Sequence, residues 1–304
     1  MNFEESLTVT AQIGEAIATN PPKITFSPEE LAKARAEYSD EKLQELKKLG
    51  FYSDDFELFY CVKCFADALD LWKIADGAYL KKLFSLAKKF DPDTFYEDPY
   101  LKQVKIKERK SDNILLTHAT YQKGEFFQYD MPRMREEIVV PRLGFFTEEV
   151  SFPAVYEGVT PWVSVCPSEI FSMQPDVAPA FGRVLVLGLG LGYYPFLVSE
   201  KDNVEQITIV EKNPHIISLF RQEILPHFPY ANKIRIVEAD AFDFLEDTEV
   251  GAFDFCYADI WEGWVDGATA VKRIETHEKR LYSTEFRYWI GDEIHWWREN
   301  TEES

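Results

Sequence analysis

Three alternating glycines, Gly188, Gly190 and Gly192, follow four consecutive apolar residues at 184–187. A turn of this kind removes the side chains that would hold a ligand away from the backbone. The helix expected over about 194–199 points its free N–H groups at whatever occupies the turn. Carboxylates close three further apolar stretches: Glu211 ends 206–211, Asp240 follows 233–238 with Ala241 beside it, and Asp259 follows 253–258. Glu211 stands about twenty residues past the turn, the reach needed to accept hydrogen bonds from a ribose diol. Glu262 comes three residues after Asp259. Tyr193, Tyr194, Trp261 and Trp264 flank the set, and such rings stack on a base or enclose a cation.

Positioning these groups at one edge requires a particular scaffold. Continuous apolar runs suit strands covered on both faces, hence a mostly parallel sheet with helices around it. Strand, glycine turn and helix are common to several nucleotide-binding folds, and spacing separates them. A dinucleotide fingerprint needs a third glycine where Tyr193 stands, and no Gly-Lys-Ser/Thr follows to make a P-loop.

In order and spacing together, residues 180–262 resemble the class I S-adenosylmethionine-dependent methyltransferases. The resemblance implies a Rossmann-like α/β fold, with Gly188, Gly190 and Gly192 against the methionine part of the cofactor. It places Glu211 on the ribose hydroxyls, Asp240 at the adenine amino group with Ala241 next to it, and Asp259 facing the reacting centre. Most of that family carries an acid two residues before the first glycine, where this chain has Val186. The spermidine synthase branch also lacks that acid, and its Asp-Ser-Ser-Asp motif is echoed by Asp259-Ile260-Trp261-Glu262. That branch, however, has an Asp inside the turn where Leu191 stands here. Catechol-type methyltransferases carry Asp-x-Trp at the fourth strand and an acid-amide pair after the fifth. Asp259-Ile260-Trp261 and Asp292-Glu293 are similar to that magnesium-binding pattern, with Glu293 in place of Asn and Glu262 in place of a lysine. The reading adopted here uses no metal.

Methyl transfer is an in-line displacement, so the protein must align nucleophile and methyl group and exclude water. A base is needed only for a protonated nucleophile. Asp259 is the first candidate and Glu262 the second, with Tyr193, Trp261 and Trp264 walling the substrate. The expected function is a methyltransferase acting on a small or cationic acceptor. The alternatives are a spermidine-synthase-like aminopropyltransferase and a non-catalytic protein that binds S-adenosylmethionine.

The net charge of −20 over 304 residues argues against nucleic acid, whose phosphates dominate its affinity for proteins. From Phe181 onward, 12 Lys and Arg face 23 Asp and Glu, so this half carries its own acidity. No run of eighteen apolar residues occurs, and Met1-Asn2-Phe3-Glu4-Glu5 is acidic where a signal peptide is basic. The expectation is a soluble cytoplasmic protein without a membrane partner. Cys61 and Cys64 have the gap of a zinc or redox pair, but they lie in an apolar helical run without a second pair or a nearby His.

Three segments are expected. Residues 1–100 read as helices, from the capping box Ser27-Pro28-Glu29-Glu30 to a stop at Pro92, and suit a cap or a homodimerisation domain. Residues 101–167 read as a β-rich module with strands at 104–107, 113–121, 125–129, 137–140, 150–156 and 162–166. Residues 168–304 form the cofactor-binding domain. It begins with a helix over 168–177, whose Glu169 suits the helix dipole. It ends with a helix over 268–281, a fifth strand over 285–290 and a short helix at 294–298. Five strands are visible where the family has seven, so the sheet is shortened or its edge covered.

Overall fold

The computed structural model describes residues 1–301. The chain is a mixed α/β protein that divides into two compact units, residues 1–95 with 120–151, and residues 96–119 with 152–304. The expected borders after 100 and 167 are not where it divides. The β-rich stretch is shared, because β3 (Ile114–Tyr121) and β6 (Val150–Glu157) each run from one unit into the other.

The first unit is built on helices α1 (Phe3–Thr19), α2 (Pro28–Ala36), α3 (Asp40–Leu49), α4 (Phe56–Ala68), α5 (Leu71–Ile74) and α6 (Gly77–Leu86). Their starts are chemically marked. Asn2 with Glu5, and Ser27 with Glu30, form reciprocal capping boxes that satisfy first-turn N–H groups. Asp55 caps α4, and the apolar periodicity that runs on from it is broken at Asp70, which adopts a left-handed φ of 52°. A small sheet of β1 (Lys88–Phe90), β5 (Arg142–Phe146) and β4 (Phe127–Asp130) completes the unit. Its core includes Val9, Ile13, Phe59, Phe65, Leu83 and Phe126. Cys61 lies in that core, and burial pushes its thiol up to about 12, which keeps it in the unreactive neutral form. No strand forms at 104–107 or 137–140.

The second unit carries the parallel sheet. Short helices α7 (Pro92–Tyr96), which crosses the unit border, and α8 (Pro99–Gln103) precede β2 (Arg109–Ser111), which joins β3, β6 and β7 (Thr160–Ser164) in a four-stranded sheet. Helix α9 (Pro167–Val177) then leads into β8 (Gly182–Leu187), α10 (Tyr193–Ser199), β9 (Val204–Glu211), α11 (Pro214–Leu219), β10 (Ile234–Glu238), α12 (Ala241–Asp247), β11 (Phe255–Ala258), α13 (Trp264–Glu278), β12 (Glu285–Tyr288) and α14 (Gly291–Thr301). All five strands are parallel, in the order β10-β9-β8-β11-β12. Val184, Leu185, Val186 and Leu187 are all buried, which is why they read as an unbroken apolar run. Among the described residues, no helix is long and apolar enough to cross a membrane.

One side chain ties the central strands at their entry. Asp254 Oδ2 accepts from the Arg183 backbone N–H at 2.8 Å and from its Nε at 3.1 Å, while Oδ1 accepts from a terminal guanidinium nitrogen at 3.1 Å. Replacement of Asp254 by Ala removes a charge-assisted set and leaves a backbone donor unpaired. We expect a loss of about 1–3 kcal/mol in urea unfolding, with the parallel sheet retained by circular dichroism.

Candidate active site

Strand order decides where a ligand can enter. The chain leaves β8 towards β9 and β10 on one side, and later returns to β11 and β12 on the other. The loops after β8 and β11 therefore diverge and open a crevice at their carboxyl ends. Gly188 and Asp259 stand there, one residue past each strand.

All three glycines have left-handed backbone, with φ of 95° at Gly188, 50° at Gly190 and 73° at Gly192. Their neighbours differ. A Cβ on Gly188 would lie 2.0 Å from the Asp259 carbonyl oxygen, and one on Gly192 would lie 2.3 Å from the Phe220 ring. Those two glycines allow the chain to pack on itself. On Gly190 the nearest atom would be Val163 Cγ2 at 3.5 Å, ordinary contact, so this is the glycine whose missing side chain leaves room beside the crevice.

The turn is held from several directions. Gly188 N–H donates to the Val210 carbonyl and Asp259 N–H to the Leu187 carbonyl, both at 2.9 Å. Glu211, 7% exposed, accepts from Leu189 N–H at 3.1 Å through one oxygen and from Asn213 N–H at 2.8 Å through the other. Tyr100, on α8, donates its hydroxyl to the Leu191 carbonyl at 2.6 Å. Tyr193 donates to Asp98 Oδ2 at 2.8 Å and accepts from Gln174 at 3.1 Å.

The cleft above this turn is narrow, with a cavity volume of about 30 Å³, the share of one liquid water. Gly188, Gly190, Gly192, Tyr193 and Asp259 line it, together with Glu169, Tyr194 and Tyr257. Val163, Ser164 and Val165, from β7 and the residue after it, form another wall. The remaining candidates lie elsewhere. Glu211 sits beneath the turn it clamps. Asp240 caps α12 by accepting from the N–H groups of Phe242 and Asp243, and Ala241 is buried as the first residue of that helix. Glu262 is exposed, and its backbone N–H donates to Asp266.

Two aromatic expectations are corrected. Trp261 is buried against Gly267, 2.9 Å from that glycine's Cβ direction, and Trp264 stacks on Trp297 with ring centroids 6.5 Å apart. Neither lines the cleft: Trp261, in the loop at 259–263, turns towards Gly267 of α13, and Trp264, the first residue of α13, stacks on Trp297 of α14. Among the described residues no group of three or more His, Cys, Asp and Glu could hold a metal ion.

Sequence reasoning missed Glu169. Its place in the first helical turn has a sufficient explanation in the dipole, and only the packing of α9 against α10 brings it to the cleft that Asp259 lines. Burial pushes the Glu169 carboxyl up, and burial together with the nearby Glu169 holds Asp259 well above the usual carboxylate range. Tyr257, 1% exposed and stacked on Tyr194 at 3.8 Å, also lines the cleft, and its hydroxyl has no hydrogen-bond partner among the described residues.

No family model matches the chain, and no curated protein matches it. Solved structures similar to parts of it include precorrin 8W decarboxylase from Methanobacterium thermoautotrophicum, at 14% identity and a TM-score of 0.31 over 40% of this chain and 62% of that one. A Klebsiella pneumoniae protein assigned as an O-methyltransferase aligns at 19% identity and a TM-score of 0.25, over 31% of this chain and 43% of that one. A conserved hypothetical protein from Streptococcus pyogenes aligns at 22% identity and a TM-score of 0.29, over 37% and 66%. This chain spans no more than 66% of any of these proteins. At such overlap the likenesses carry no argument about chemistry, which rests on the site itself.

The three glycines make that site testable. Gly188→Ala and Gly192→Ala should each destabilise the fold by at least about 2 kcal/mol, from strain plus collision. Gly190→Ala should cost about 1 kcal/mol for the left-handed backbone alone. Thermal unfolding of the three variants measures the order.

Proposed function

We propose that this chain is a methyltransferase that uses S-adenosylmethionine, held at the 188–192 turn, and acts on a small or cationic acceptor. The observation that carries the reading is the coincidence of glycine turn, acidic strand ends and topological switch point at one edge of a parallel sheet. Following the strand order, Asp259, Gly188, Glu211 and Asp240 stand in sequence along that edge. An adenosyl group laid across the edge would meet bare backbone first and carboxylates along its length.

The residues fit such a group on three counts. Gly190 leaves the backbone uncovered on the cleft side. Each Glu211 oxygen accepts one backbone N–H, and a carboxylate has about four lone-pair sites, so capacity remains for a diol. Tyr257 offers a buried hydroxyl still in need of a partner. When bound, the sulfonium supplies an electrophilic methyl carbon. Asp259 is the group placed to orient the acceptor or take its proton, and its raised pKa makes its ionised form a stronger base than an ordinary carboxylate. Tyr193, Tyr194 and Tyr257 exclude water from the inner wall.

Calorimetry with S-adenosylmethionine, its decarboxylated form and S-adenosylhomocysteine tests the reading. Micromolar binding of the first and third supports it. Preference for the decarboxylated form would move the assignment to aminopropyl transfer, and binding without turnover on amine and hydroxyl acceptors would leave a binding protein. Glu211→Gln, which keeps the side-chain shape, should weaken S-adenosylhomocysteine at least about tenfold through lost charge-assisted hydrogen bonds; unchanged affinity removes the ribose assignment. Asp259→Asn should lower kcat more than it raises the Kd of the cofactor. Because Asp259 must be ionised to take a proton, turnover should rise with pH until its carboxyl has lost its own.

A further inference from the structure

The inner end of the cleft carries two carboxyl groups, Glu169 from α9 and Asp259 from β11, and no lysine, arginine or histidine lines it. Two acids enclosed together repel each other and lose hydration, an arrangement that a cation relieves. The acids alone would not define a site. The second observation is Tyr257, whose side chain is 1% exposed, lines the same cleft and keeps an unpartnered hydroxyl. A buried hydroxyl without a partner costs free energy in the unliganded protein, and a ligand that bonds to it recovers that cost. The phenol can accept from a positively charged N–H, while the two carboxyl groups supply charge and further acceptors. The tyrosine rings around them add a favourable face for a cation.

We propose that Glu169, Asp259 and the Tyr257 hydroxyl form a subsite for a primary ammonium group, with Glu169 the carboxylate that this chain supplies from α9. The assignment deepens the methyltransferase reading and rests on it for the identity of the ligand. The ammonium can come from the amino-acid end of the sulfonium cofactor or from an amine acceptor.

Proton linkage follows from the groups that face Glu169. Asp259 and Tyr257 come from β11, and Tyr193 and Tyr194 from α10. All are acids or phenols, and burial favours their neutral forms. An ammonium entering the subsite favours ionised Glu169, so binding releases a proton to buffer and tightens as pH rises. The same shift has a sign for folding. The native state binds the Glu169 proton more tightly than the unfolded chain does, so this residue lowers stability as pH rises from the ordinary glutamate range towards about 7. Glu169→Gln should abolish that loss, leaving Tm equal to wild type near pH 4 and higher at pH 8.

The test uses the full chain and three probes: S-adenosylhomocysteine, 5′-methylthioadenosine, which lacks the amino-acid end, and 1,4-butanediamine added to protein saturated with 5′-methylthioadenosine. Titrations in two buffers of different ionisation enthalpy count released protons. If the cofactor supplies the ammonium, Glu169→Gln and Tyr257→Phe each weaken S-adenosylhomocysteine at least about tenfold and leave 5′-methylthioadenosine unchanged. If the acceptor supplies it, both variants leave the two nucleosides unchanged and weaken the diamine by that factor. Either pattern, with proton release in wild type, supports the subsite. Equal affinities of wild type and both variants for all three probes overturn it, as does the absence of any amine-dependent binding. If neither nucleoside binds but the diamine does so through Glu169, the subsite stands and the adenosyl reading falls. Tyr257→Phe guards against a folding artefact, because removing an unpartnered hydroxyl should leave Tm unchanged or raised.

Discussion

The site depends on a single carboxylate serving two loops. Glu211 ends β9 and bonds through one oxygen to the turn after β8 and through the other to the turn after its own strand. Hydrogen bonds between β8 and β9 set the strand register as far as Gly188, whose N–H donates to the Val210 carbonyl, but they do not hold together the two loops beyond it. A buried acid bonded to both does so, and burial makes the arrangement exacting because an unanswered charge there would be costly. The left-handed glycines can then keep a conformation that no other L-residue adopts easily, with Gly188 pressed on the Asp259 carbonyl.

Much of the parallel sheet was legible in the sequence because its physics is local. Four buried residues in a row, a glycine turn and acids at the ends of β9, β10 and β11 follow from burial on both faces and from the reversal of chain direction, each signal spanning only a few residues. The cleft was half legible for the same reason: Gly190, Tyr193 and Asp259 belong to those local signals. Glu169 does not, since its approach to Asp259 depends on how α9 packs against α10, a distance in space that no spacing in sequence encodes. Trp261 and Trp264 failed in the opposite sense. They are close to Asp259 along the chain, yet Trp261 turns onto Gly267 of α13 and Trp264 stacks on Trp297 of α14.

The β-rich stretch misled for a related reason. Alternation at 104–107 is a pattern of exposure, which chain without strand partners shows as well as a ladder does, while 137–140 passes from a bend into two adjacent buried valines. In the helical unit, Asp70 interrupts an apolar periodicity that continues on both sides. A left-handed aspartate leaves no periodic signature.

Tyr100 reaches the Leu191 carbonyl from ninety-one positions earlier in the chain, and Asp98 receives the Tyr193 hydroxyl from ninety-five positions away. The glycine turn is thus completed by a short helix that emerges from the ribosome well before it. During synthesis α8 must wait, with a buried-type tyrosine and an acid still hydrated, until β8 and α10 arrive to cover them. Closing so long a loop slows folding more than it weakens the folded state. In a chain grown only as far as residues 105 to 190, Tyr100 and Asp98 therefore lack the groups that complete them in the folded protein.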